Sequence, residues 1–140
     1  MILPHHVVLC YNHDMKTRHN KAKYKSKKTE YLMRGKLRKC SRPGDFTFVG
    51  SDSAYTILCN STEIGSFCLL PYSDGKTVYF YAYKINDELK GHGLGTETFR
   101  AIKHFLREQG YSEIVLQVSR NNEAAYHLYK NNGLRITEAV

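Results

Sequence analysis

No apolar run in the sequence approaches the length of a membrane-spanning helix, which excludes a spanning segment of that kind and any membrane partner that would need one. The first eleven residues lack a cationic start, so no signal peptide is expected and the protein is expected in the cytoplasm. Cys10, Cys40, Cys59 and Cys68 contain no C-x-x-C pair, which argues against a zinc ribbon or a redox motif and leaves free buried thiols as the expectation. His5, His6, Cys10 and His13 cluster loosely, but no second ligand pair at matching spacing accompanies them, so no metal is expected. Internal repeats and low-complexity tracts are absent apart from a lysine-rich stretch.

What is present fits one soluble globular domain: 140 residues, 41% hydrophobic and 24% charged. The net charge of +8 is unevenly spread. Residues 1–42 carry twelve Lys or Arg against Asp14 and Glu30, whereas residues 43–140 carry nine against eleven acids. Within it two stretches are therefore distinguished: a basic N-terminal segment, 1–42, expected to hold a first strand and short helices, and the remainder, 43–140. The bland reading of the basic segment is a solvated helix face or arm; the sharper one is contact with nucleic acid.

Val7, Val8 and Leu9 suit a first strand, and 16–39 offers at best a weak helical stripe through Tyr24, Tyr31, Leu32 and Leu37. From Phe46 the pattern turns to β: 46–49, 54–59, 63–70 and 78–85 are runs of β-formers. Turn chemistry separates the runs, so an antiparallel meander is predicted. In 78–85, strict alternation would place Tyr79, Tyr81 and Tyr83 on one face and Phe80, Ala82 and Lys84 on the other. The run 97–108 then reads as an amphipathic helix, with Phe99, Ile102, Phe105 and Leu106 inward and Arg100, Lys103 and Arg107 outward. A compact strand at 114–118, a helix capped by Asn121-Asn122 with Ala125, Leu128 and Tyr129 inward, and a last strand at 134–140 complete an α+β plan. In outline it is a meander followed by a β-α-β-α-β half, giving a mixed sheet.

Between the fourth run and the first helix lies Lys90-Gly91-His92-Gly93-Leu94-Gly95-Thr96. A glycine turn feeding a helix presents bare N–H groups at a positive helix end, which suits an anion. The G-x-G-x-G spacing, its late position, and Val115, Leu116 and Gln117 where an acidic residue would be needed all argue against a dinucleotide fingerprint. With no Gly-Lys-Ser/Thr, the Walker pattern fails as well.

Lys90-x-x-Gly93-x-Gly95 resembles the R/Q-x-x-G-x-G/A signature of the GNAT superfamily, the acetyl-CoA-dependent N-acetyltransferases. A second block is similar too: Leu116 to Asn122, then Leu128-Tyr129-Lys130-Asn131-Asn132-Gly133-Leu134, in the right order and at the right distance. The resemblance spans about 55–138. It implies a GNAT-like fold and acetyl transfer from acetyl-CoA to a primary amine of a protein, peptide or small molecule, by direct attack in a ternary complex without a metal. It further implies that backbone groups of Tyr83, Lys84 and Ile85 receive the pantetheine arm and thioester. Lys90 and the amides of Gly91, His92, Gly93, Leu94 and Gly95 would take the pyrophosphate, Asn122 would bind the arm, and Tyr129 would protonate the departing thiolate.

Gln117 departs from the glutamate that ribosomal-protein Nα-acetyltransferases carry at that position, so the base is open among Glu63, Glu88 and a water chain. Two other readings stay open: a GNAT enzyme acting on an RNA-linked acceptor such as aminoacyl-tRNA through the basic segment, and a coenzyme A-binding module without turnover. An unpaired last strand would be an open edge, to be covered by a second subunit in a homodimer or by the N-terminal strand.

Overall fold

The computed structural model describes residues 6–12, 40, 43–90, 93–119 and 121–139. The expected helices in 16–39 lie outside these residues. Within them the chain forms β1 (His6–Asn12), β2 (Phe46–Ser51), β3 (Ala54–Cys59), β4 (Thr62–Pro71), β5 (Thr77–Ile85), α1 (Leu94–Glu108), β6 (Glu113–Ser119), α2 (Glu123–Asn131) and β7 (Arg135–Ala139). The seven strands make one sheet in the order β2-β3-β4-β5-β6-β1-β7.

The meander follows from local chemistry. Asn60 and Ser61 both take positive φ, 47° and 75°, giving the two-residue connection whose twist suits a hairpin between Cys59 and Thr62. From β5 onward, α1 leads to β6 and α2 to β7, two crossovers in the same direction along the sheet. Right-handed connections then put both helices on one face. The helices meet there through Phe99 and Tyr129, whose rings stand edge to face at 5.0 Å. Phe67, Phe80, Phe99, Leu9, Ile57 and Ile64 are fully buried in the core.

β1 is an inner strand rather than a peripheral one. It pairs antiparallel with β6, Leu9 opposite Leu116, and also with β7, Leu9 opposite Ile136. The N-terminal strand therefore covers the inner edge of the last strand, and Thr137 forms an irregularity in that ladder. Replacing Leu9, which is wholly buried, by Ala is expected to cost about 2–5 kcal/mol in urea unfolding. A loss near zero would show that β1 is not part of the cooperative core.

Four expectations need correction. Tyr83 does not share a face with Tyr79 and Tyr81. Ser66 pairs with Lys84 and Cys68 with Tyr81, so β5 carries an extra residue there, and Ala82 absorbs it at φ 54°. This bulge reverses the alternation: Tyr79 and Tyr81 stack on each other, while Tyr83 joins Phe80 and packs on Phe99. Secondly, Lys103 is not outward. Its Nζ donates to the Asn132 carbonyl at 2.7 Å and lies 4.5 Å from the centre of the Tyr11 ring, and burial pulls its pKa down to about 8. Thirdly, Cys40 and Cys59 are not free thiols but a buried disulfide with Cα atoms 6.1 Å apart, a span that suits such a bridge. Cys10 and Cys68 are free, though only half-buried. Finally, α1 begins at Leu94, three residues before the amphipathic run, because the glycine turn itself starts the helix.

Candidate functional site

The glycine turn is built to leave main chain uncovered. Gly93 caps α1 at φ 84°, a conformation L side chains rarely adopt, and no side chain caps the helix in its place. A Cβ on Gly93 would meet nothing within 4 Å, so the turn faces open space. The first amides of α1 thus point outward at the positive end of a fifteen-residue helix. Lys90 stands beside the turn, exposed, in an i,i+3 ion pair with Asp87 at 2.9 Å. That hydrogen bond and charge hold the Asp87 carboxyl below its ordinary range. An exposed pair of this kind is weak and readily exchanged for a stronger anion. Gly91 and His92 lie outside the described residues.

A gap in the sheet opens next to the turn. β5 and β6 pair in parallel only from Thr77 to Tyr79, opposite Glu113 to Val115. Beyond Tyr79 the two strands part, so Tyr83, Lys84 and Ile85 have no ladder partner on the β6 side. Parallel strands that splay leave extended backbone donors and acceptors free for a ligand to complete.

Gly95 ties the turn, the gap and the second helix together. A Cβ there would come within 3.2 Å of Leu128 Cδ1 on α2 and 3.9 Å of Ile85 Cγ1 on β5, so α1 can approach both elements closely because this residue is glycine. The Gly95 carbonyl accepts a 2.7 Å hydrogen bond from the Tyr83 phenol. Burial raises the Tyr83 pKa well above the ordinary tyrosine value; the nearby Tyr129 phenol adds to this and the Thr98 hydroxyl opposes it.

Tyr129 is 8% exposed, and burial pushes its phenol well above the usual range, so it remains protonated at any ordinary pH. Among the described residues its hydroxyl makes no hydrogen bond. Asn122 caps α2, its Oδ1 accepting from Ala125 N at 3.1 Å, which leaves the Nδ2 donors of an exposed side chain unused among the described residues. One locality therefore combines outward helix amides, unpaired strand backbone and a protonated phenol. That arrangement can hold an anionic, extended ligand and deliver a proton to it.

The residues weighed as bases do not converge there. Glu63 and Glu88 are exposed, as is Gln117. The carboxylate that sequence reasoning missed is Glu97, 3% exposed, with neither oxygen hydrogen-bonded. Burial raises its pKa to about 8, with Arg100 opposing the shift. A glutamate in the first turn of a helix ordinarily answers the helix dipole from the surface, so nothing in the sequence marked it as buried. Two residues beyond Gly95 is about 200° round the helix, so Glu97 projects away from Tyr83 and Tyr129. Among the described residues no group of three or more His, Cys, Asp or Glu could hold a metal ion, and no helix is long and apolar enough to cross a membrane.

The family model for the Acetyltransferase (GNAT) family matches residues 13–134. Over 78 residues the chain is 31% identical to N-acetyltransferase 8B of Homo sapiens, covering 53% of this chain and 34% of that protein. N-acetyltransferase 8F1 of Rattus norvegicus is 28% identical over 67 residues, covering 48% of this chain and 30% of the relative. The chain thus spans about a third of the length of these curated relatives. Among solved structures, a GNAT family acetyltransferase from Elizabethkingia anophelis with acetyl-CoA bound superimposes with a TM-score of 0.55 at 17% identity, covering 94% of this chain and 78% of that one. The IAA acetyltransferase from Bacillus cereus gives 0.54 at 21% identity over 61% of this chain and 56% of its own. At such identities the structural likeness speaks for the fold.

Proposed function

On the premise that the chain belongs to the GNAT family of acetyltransferases, we propose that it transfers acetyl from acetyl-CoA to a primary amine by direct attack in a ternary complex. The observation that carries this reading is the meeting of three elements at Gly95: the splayed end of β5, the glycine-capped start of α1 and the Tyr129 helix. In this reading the catalytic domain, 43–140, is completed by β1, which lies between β6 and β7.

Each residue has a role that its surroundings support. The amides from Gly91 to Gly95 hold the donor's pyrophosphate, and Lys90 exchanges Asp87 for phosphate oxygen. The backbone of Tyr83, Lys84 and Ile85, open on its β6 side, aligns the pantetheine arm as an added strand would, and Asn122 donates to the same arm from the opposite side. Acetyl-CoA, when bound, supplies a thioester carbonyl: the amine nitrogen bonds to that carbon, the C–S bond breaks, and the sulfur leaves as thiolate. Tyr129 holds the proton that the thiolate needs. The proton shed by the amine passes to water, since neither Glu63 nor Glu88 is buried against this locality.

Acetyl-CoA-dependent release of free thiol, measured across small amines, peptides and charged tRNA, tests the reading. Thiol release above spontaneous hydrolysis with at least one amine is expected. Acetyl-CoA binding without thiol release across the whole screen would instead make the protein a coenzyme A-binding module.

A further inference from the structure

The glycine turn has a mechanical problem that the structure answers in an unusual place. Gly93 and Gly95 have no side chain, and the helix cap is without a side-chain hydrogen bond. Such a segment has little of its own to lock it, yet an anion site needs its amides held in one orientation before the ligand arrives. The element that reaches it is Tyr83. The bulge at Ala82 turns this side chain from the tyrosine-stacked face of the sheet to the helix face. There its ring lies 5.4 Å from that of Phe80 and 6.1 Å from that of Phe99. Its hydroxyl donates to the Gly95 carbonyl, two residues after the cap. The Thr98 hydroxyl, one turn on, is buried beside the same phenol, and the hydrogen bond from that phenol to Gly95 anchors this first turn to β5.

We infer that Tyr83 is a positioning residue of the donor site: through the Gly95 carbonyl it holds the first turn of α1 against β5, and so sets the orientation of the amides that bind the donor's phosphates. The inference rests on the acetyl-CoA reading above and adds to it a side-chain role, distinct from the backbone contacts of Tyr83. The bulge has a purpose in this arrangement. Were β5 to alternate regularly through Ala82, Tyr83 would fall on the far face with Tyr79 and Tyr81, and the turn would lose its tether. Gly95 is held from both sides, by the phenol at its carbonyl and by close approach to Leu128 at its Cα. Orientation of the phosphate site is thereby coupled to the helix that bears Tyr129.

Tyr83→Phe keeps the ring and its contacts and removes only the hydrogen bond. With acetyl-CoA binding followed by calorimetry, its dissociation constant is expected to rise about five- to tenfold, and KM to rise more than kcat falls. Phe80→Leu provides the structural control, because it loosens the same ring cluster and spares the hydrogen bond. An unchanged acetyl-CoA affinity in Tyr83→Phe overturns the inference. So does an equal loss of affinity in both variants, which would trace the effect to general loosening. Wild-type protein that binds no acetyl-CoA overturns the donor reading itself, and the Tyr83 role with it; that outcome is read before either variant is made.

Discussion

Tyr129→Phe is expected to lower the turnover number at least about tenfold while leaving acetyl-CoA affinity within about twofold. The change removes one oxygen atom and nothing else. The Tyr129 ring packs edge to face on Phe99 at 5.0 Å, and phenylalanine keeps that contact. The hydroxyl makes no hydrogen bond among the described residues, so its loss leaves no partner stranded and the melting temperature should hold. What disappears is a proton donor. Burial raises the phenol far enough that it is always protonated in the working range, and transfer from such a group to a departing thiolate supplies about 10²–10⁴ in rate. The split between kcat and affinity is the reverse of that expected for Tyr83→Phe, so the two tyrosines can be told apart in one set of assays. An unchanged turnover number would remove Tyr129 from the mechanism.

Glu97→Gln is expected to make the protein more stable at pH 8–9 and to change it little near pH 4. The carboxyl is 3% exposed, neither oxygen has a partner, and its pKa rises from 4.5 to about 8 in the fold. Between those values the unfolded chain is ionised at this position and the folded protein is protonated, so folding takes up a proton. Stability from this group is therefore complete below about pH 4.5 and is lost as pH rises through about 8. Relaxation around a buried charge moderates the cost, leaving about 2–3 kcal/mol in alkaline solution, or roughly ten degrees in melting temperature for a chain of this size. Glutamine copies the protonated carboxyl and cannot ionise. Thermal unfolding of both proteins from pH 4 to 9 checks this: parallel curves would show that Glu97 finds a cation or water in solution.

The elements that were legible in the sequence are those whose cause is local. Asn60-Ser61 and the other turn clusters delimit the meander, Asn122 caps α2, and Gly133 follows the Asn132 C-cap of that helix. The spacing of Gly93 and Gly95 before the amphipathic run, followed by the Asn122 and Tyr129 block, indicated the family before any strand was paired. Other features depended on what the chain folds against. Alanine at 82 gives no sign of positive φ, because the bulge arises from matching β5 to β4, and one extra residue there decides which face Tyr83 takes. Nothing in 6–12 states that this strand enters between β6 and β7, since the two ladders join residues more than a hundred positions apart. Lys103 and Glu97 have the residue types and positions of a solvated helix surface, yet Glu97 is buried and Lys103 is half-buried against Tyr11 and the Asn132 carbonyl, both distant in sequence. Periodicity, capping and turn chemistry act over a few residues and are carried by the sequence itself. Strand order, bulge placement and the burial of a charged side chain are long-range outcomes, settled only when the sheet assembles and the helices pack upon it.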